Sequence, residues 1–171
     1  AFGGSAYRED WSALQHQDGL GVGYKNKLKQ AGKWKFGLYA QGEMLPRFEN
    51  QMRLHPTLKD KWGMPQLEFD CRFSKNETDM MNDAALQAEK MLKAAGLTNV
   101  TSKVTPGIPG LAIHELGTAR MGRDPKTSVL NGYNQSHDIP NLFVTDGASF
   151  CSSAVQNPSL TFMALTVRAV D

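Results

Sequence analysis

The chain has 171 residues, enough for one ordinary core, with 40% apolar and 21% charged residues and a formal charge of +2 at pH 7. That balance marks a globular, soluble composition, and with no Lys/Arg run interleaved with aromatics it gives nucleic-acid binding no support. No apolar stretch approaches the roughly 20 residues of a membrane-spanning helix, and the two cysteines, Cys71 and Cys151, form neither a metal spacing nor a disulfide framework.

Residues 1–33 are rich in glycine, polar groups and isolated aromatics, and predict loop with a short helix around Tyr24–Gln30. The loose basic cluster Lys25, Lys27, Lys29, Lys33 and Lys35 reads as a solvated face. Residues 34–45 suggest a strand, with Gly37 and Gly42 weakening it or marking bulges. A further strand is expected over Gln51–His55, then a turn-rich connection from Pro56 to Pro65. Leu67 to Phe73 alternates apolar and charged residues, the period of a half-buried strand.

Ser74 and Glu77 form a capping box that starts a helix. Met81, Ala84, Ala85, Ala88, Met91, Leu92 and Ala95 then share one face, and Gly96 supplies the stop. At 1.5 Å per residue this helix is about 30 Å long. Val100–Val104 is a short strand candidate, followed by a rigid Pro106–Gly110 loop.

The C-terminal third carries three motifs: His-x-x-Gly-Thr-x-x-Met-Gly at 114–122, Asn-Leu-Phe-Val-x-Asp-Gly at 141–147, and Asn-Pro-x-Leu-Thr at 157–161. Leu142–Thr145 is an apolar run ending in Asp146-Gly147, the pattern of a strand buried on both faces in a parallel sheet. Asn157 followed by Pro158 reads as the N-cap and first position of a helix. On that helix Leu160, Met163, Ala164 and Val167 share one face while Phe162, Leu165 and Ala169 fill another, so burial is expected. Of the four histidines, His16, His55 and His137 read as surface or structural groups. An isolated His114 would read the same way.

Together the three motifs, in this order and spacing, resemble the C-terminal signature of the glucose-methanol-choline (GMC) oxidoreductases, flavoenzymes that oxidise alcohols. The match is firm over residues 110–171 and looser at 49–54 and 60–65, and the branch with pyranose oxidase and bacterial sugar and gluconate dehydrogenases looks nearest. The resemblance implies an α+β fold, a sheet backed by helices. Residues 1–139 would form the substrate-domain portion, and residues 140–171 the last strand and helix of an FAD-binding α/β domain. No Gly-x-Gly-x-x-Gly fingerprint occurs, so the expectation is a C-terminal portion lacking most of the flavin cradle.

The implied chemistry is FAD-dependent oxidation of a CH–OH group of a sugar or polyol. Such oxidation removes hydride from carbon and a proton from oxygen, and a neutral histidine suits the proton. The resemblance makes His114 that base and gives Asn157 the substrate hydroxyl, a role compatible with capping only if the cap is made otherwise. It places Asp146, Gly147 and Ala148 against the ribityl-phosphate chain. Asn157, Pro158, Ser159, Leu160 and Thr161 would lie at the flavin ring, where a helix start favours the anionic reduced form. Two other readings stay open: a non-catalytic fragment or binding module that does not hold FAD by itself, and a subunit completed by a separate flavin-binding chain.

Overall fold

A computed structural model describes residues 1–9, 19–30 and 32–171. The elements in order are β1 (Phe2–Arg8), α1 (Gly21–Lys29), β2 (Trp34–Ala40), β3 (Gln51–Lys59), β4 (Pro65–Asp70), α2 (Lys75–Ala94), a 3₁₀ turn at Gly147–Ser149, and α3 (Ser159–Val170). The helix expected at 24–30 starts three residues earlier, at Gly21. His16 lies outside the described residues.

Two compact units form, residues 1–41 with 84–102 and residues 42–83 with 103–171. In the first, β1 and β2 pair antiparallel from Phe2↔Ala40 to Arg8↔Trp34. Lys35 leaves the basic cluster to pair with Glu9, which raises its pKa, while Lys25, Lys27 and Lys29 are exposed along α1. Within this unit Lys93 and Glu89 on α2 pair at i,i+4, and Ser102 donates to Glu89 at 2.9 Å.

In the second unit, β3 and β4 pair antiparallel with Met52 opposite Phe69 and Leu54 opposite Leu67. β3 runs on past His55 to Lys59, where a turn had been expected, with a register shift between Leu54 and Lys59. Pro56 has no N–H and so needs no ladder partner there. The His55 ring compensates by accepting from the amides of Thr57 and Leu58 at 3.2 and 2.9 Å. Asp60 closes the hairpin by accepting from Trp62 and Met64, with Gly63 in the left-handed region at φ 86.

Alternation in β4 holds, over Pro65–Asp70 where 67–73 was expected. Glu68 and Asp70 are half-buried while Leu67 and Phe69 are exposed. The charged face is closed by the Arg53–Glu68 pair, joined by two hydrogen bonds, whereas the apolar one is exposed.

α2 begins and ends as its sequence dictates. Glu77 accepts from the Ser74 amide at 2.7 Å, Ser74 Oγ accepts from the Asn76 amide, and Glu77 is 2% exposed. At the other end Gly96 (φ 83) donates to Lys93 and Leu97 to Leu92, a Schellman closure. Met81, Ala84, Ala85, Ala88 and Leu92 are half-buried along the stripe, whereas Met91 and Ala95 are exposed. Val100–Val104 does not form a strand.

The described residues form two two-stranded sheets, β1–β2 and β3–β4, and three α-helices, a mixed α/β arrangement rather than one larger sheet. The run Leu142–Thr145 is likewise not a parallel strand. It makes one antiparallel bridge, Gln135↔Phe143, and Leu142 and Phe143 are exposed. Its described neighbour is the segment just before it, reached through the tight turn at 137–141, so that pairing is antiparallel. The buried apolar side chains among the described residues are Leu130 and Phe150. α3 packs through Phe162, Leu165, Thr166 and Ala169, while Leu160, Met163 and Val167 face outward. The burial expected all round is therefore met on one face. No helix among the described residues is long and apolar enough to cross a membrane, and Cys71 and Cys151 are both free.

Candidate functional site

The 113–122 segment is held from two sides. The amides of Gly117, Ala119 and Met121 donate in step to the carbonyls of Gly147, Ala148 and Ser149, at 2.9–3.1 Å. On the other side Arg120 accepts from Val129 and Leu130, and Gly122 donates to Leu130. Leu130 is fully buried, so the first and second motifs are zipped together over a small core. Asn134 Nδ2 donates to the Val144 carbonyl, and the Asn134 carbonyl accepts from the Val144 amide, which fixes the segment entering Asp146. His137 Nε2 lies 3.0 Å from Ser128 Oγ, a structural pairing of the kind expected of it.

Two backbone positions shape the loop. Gly117 sits at φ 84, and a Cβ there would lie 3.0 Å from the Phe150 carbonyl oxygen. Ile113, just before His114, is also left-handed at φ 61, a conformation that is costly for a β-branched residue. Ala112 donates its amide to the Glu115 carboxylate, closing the loop around these two residues. Gly117→Ala is expected to cost about 1–2 kcal/mol through backbone strain and the close approach to Phe150. A lower thermal midpoint checks this, and an unchanged midpoint would place Gly117 outside the strained region.

Asp146 begins the 3₁₀ turn. Its Oδ1 accepts from the Ala148 amide at 2.9 Å and its carbonyl from Ser149 Oγ. Gly147 is buried against Leu116, whose side chain fills the space that a Cβ would need. Thr166 Oγ1 donates to the Thr145 carbonyl at 3.0 Å, which docks α3 beside the end of the 142–145 run.

The sequence expectation for the start of α3 is corrected in one respect. Pro158 stands at the N-cap position, no side chain caps the helix, and Asn157 lies outside it. The Pro158 carbonyl accepts from Thr161 and Phe162. Pro158 has helical angles (φ −84, ψ −4) and the Asn157 side chain makes no cap hydrogen bond, so it is released from that role.

A cleft of about 600 Å³ gathers these pieces, and its lining includes His114, Asp146, Gly147, Ala148, Asn157, Pro158 and Ser159. Leu160 and Thr161 are not part of the lining. The sequence reading missed Glu115, Thr118 and Phe162, and also Met52 and Phe69 from the β3–β4 hairpin. The alternation of the two strands marked that pair as a shared face, but not which way it looked. His114 is half-buried, Asn157 is exposed, and among the described residues neither side chain makes a hydrogen bond.

The donor set of this cleft fits a flavin. The first turn of α3 has no acidic residue and no side-chain cap, and although the Thr161 and Phe162 amides donate to Pro158, those of Ser159 and Leu160 and the positive helix end remain for an anionic ring edge. Asp146 offers a carboxylate for a ribityl hydroxyl, and the small residues Gly147 and Ala148 allow close backbone approach.

A family model described as GMC oxidoreductase matches residues 46–166. The chain is 39% identical over 133 residues (76% of this chain, 23% of the relative) to a 2-methyl-1,2-propanediol dehydrogenase of Mycolicibacterium austroafricanum. It is 32% identical over 139 residues (78% and 24%) to the fructose dehydrogenase large subunit of Gluconobacter japonicus. To the gluconate 2-dehydrogenase flavoprotein of Pantoea cypripedii it is 32% identical over 127 residues (68% and 20%). The chain thus spans about a fifth to a quarter of the length of these relatives.

Proposed function

The chain belongs to the GMC oxidoreductase family, and from that membership we propose that it supplies the substrate side of an FAD-dependent enzyme oxidising a CH–OH group of a polyol or sugar. The observation that carries this reading is that His114 and Asn157, from two separate motifs, line one cleft with side chains that no hydrogen bond occupies among the described residues. His114 takes the hydroxyl proton, a task for a neutral imidazole within hydrogen-bond reach. Asn157, free of capping, orients the same hydroxyl by accepting from or donating to its oxygen. Bound flavin supplies the hydride acceptor.

Asp146, Gly147 and Ala148 hold the ribityl-phosphate portion, while Pro158, Ser159 and the first turn of α3, with Leu160 and Thr161, stabilise negative charge at the ring. A dinucleotide-binding region, on the same chain or on a partner, completes the cradle, and the division at 139/140 separates substrate wall from flavin-binding elements. The compounds that these relatives are named for, a branched diol and two sugar-type compounds, set the range to be searched.

A visible absorbance spectrum of the complete enzyme, before and after anaerobic addition of a diol and sugar panel, tests this. Bleaching of a flavin spectrum by one of these alcohols is the expected result. Absence of flavin even after FAD is added would leave the cleft without its chemistry and favour a binding role.

A further inference from the structure

The cleft has one side that the three motifs do not account for. Met52 and Phe69 are its contribution from the β3–β4 hairpin, and they are directly paired across the two strands. Both are more than half exposed, at 52% and 67%. Leu54 and Leu67, the next pair on the same face, are exposed as well. The opposite face of the hairpin carries the Arg53–Glu68 ion pair, so polar groups are segregated away from the cleft. This side therefore offers no hydrogen-bond partner beyond a weakly accepting thioether.

We propose that Met52 and Phe69 are specificity-determining residues. They form an apolar wall of the His114–Asn157 cleft that selects an alcohol with an alkyl flank beside the oxidised carbinol over one hydroxylated along its whole length. This rests on the oxidation reading above. A substrate hydroxyl turned to the wall gives up water and gains nothing, a loss of roughly ten- to a hundredfold in affinity. An alkyl group placed there gains about three- to tenfold for each methylene removed from water. The wall discriminates through binding, while His114 and Asn157 act on whichever hydroxyl is presented.

The test uses the complete flavin-loaded enzyme and two four-carbon alcohols that differ only in hydroxylation, butane-1,2-diol and erythritol. Anaerobic flavin reduction at sub-saturating concentration is expected to be at least about tenfold faster with the diol. Met52→Gln, close in size but polar, should narrow that ratio about fivefold or more through the diol's KM, with the limiting reduction rate nearly unchanged. Phe69→Leu, which keeps the wall apolar, should preserve the preference.

Equal or faster reduction by erythritol overturns the proposal. So does a Met52→Gln enzyme in which both alcohols, or only flavin content and thermal midpoint, change by the same factor, since that is the mark of a packing role. Reduction by hexoses but not by butane-1,2-diol overturns the wall alone. Reduction by no alcohol removes the oxidation reading and the wall with it.

Discussion

Replacement of His114 by alanine is expected to slow anaerobic flavin reduction by an alcohol about a hundredfold or more, with flavin content unchanged. The hydroxyl proton must leave as the carbon–hydrogen bond breaks, and water is a far weaker base than an imidazole held at the site. The His114 ring is half-buried in the cleft and makes no hydrogen bond among the described residues, so its loss should leave the surrounding fold intact. Asn157→Ala in the same assay should cost about tenfold, the worth of one hydrogen bond to the reacting hydroxyl. Wild-type reduction rates in His114→Ala would take the base role from this residue. Loss of flavin instead of rate would reassign it to holding the cofactor.

Replacement of Glu77 by alanine is expected to have the largest effect on stability. Its carboxylate accepts from the amide and hydroxyl of Ser74, from the Asn76 side chain and from the Leu45 amide, in a nearly closed environment. It therefore joins the start of α2 to the segment before β3, both within the second unit. Removing several hydrogen bonds to a buried charge, and leaving their donors unpaired, costs about 2–3 kcal/mol. These bonds, led by the Ser74 hydroxyl, lower the Glu77 pKa from 4.5 to about 2.

A depressed carboxylate pKa means that the unfolded chain binds the proton more readily. The stabilisation is therefore complete above about pH 4.5 and is lost as pH falls from there towards 2. Thermal melts should show the variant several degrees below wild type at pH 7, with the gap shrinking below pH 4.5. Coincident midpoints at pH 7, or a gap that widens in acid, would show that Glu77 does not carry this load.

Local chemistry made much of this chain legible. Ser74 with Glu77, and Gly96 after a small-residue stripe, specify both ends of α2, because caps depend on residues only a few positions apart. The cleft residues His114, Asp146, Gly147, Ala148, Asn157, Pro158 and Ser159 were named instead by the resemblance of the three C-terminal motifs to a family signature, since an isolated His114 reads as structural. Asn157 shows the limit of that locality. Its neighbour Pro158 predicts a cap, but no side chain caps the helix, and Asn157 lines the cleft instead.

What alternation and apolar runs could not supply was direction. Leu67 and Phe69 alternate as a half-buried strand would, and the sequence alone assigns them a shared face. Only the pairing of Met52 with Phe69, with Arg53 and Glu68 closed on the other side, turns that face towards the cleft. Leu142–Thr145 has the composition of a central strand, yet its described partner is the segment just before it, and the single bridge is antiparallel. Side-chain periodicity is a property of the strand itself and is written in the sequence. Which surface a strand meets is set by long-range pairing and by what covers each face, and that is decided only in three dimensions.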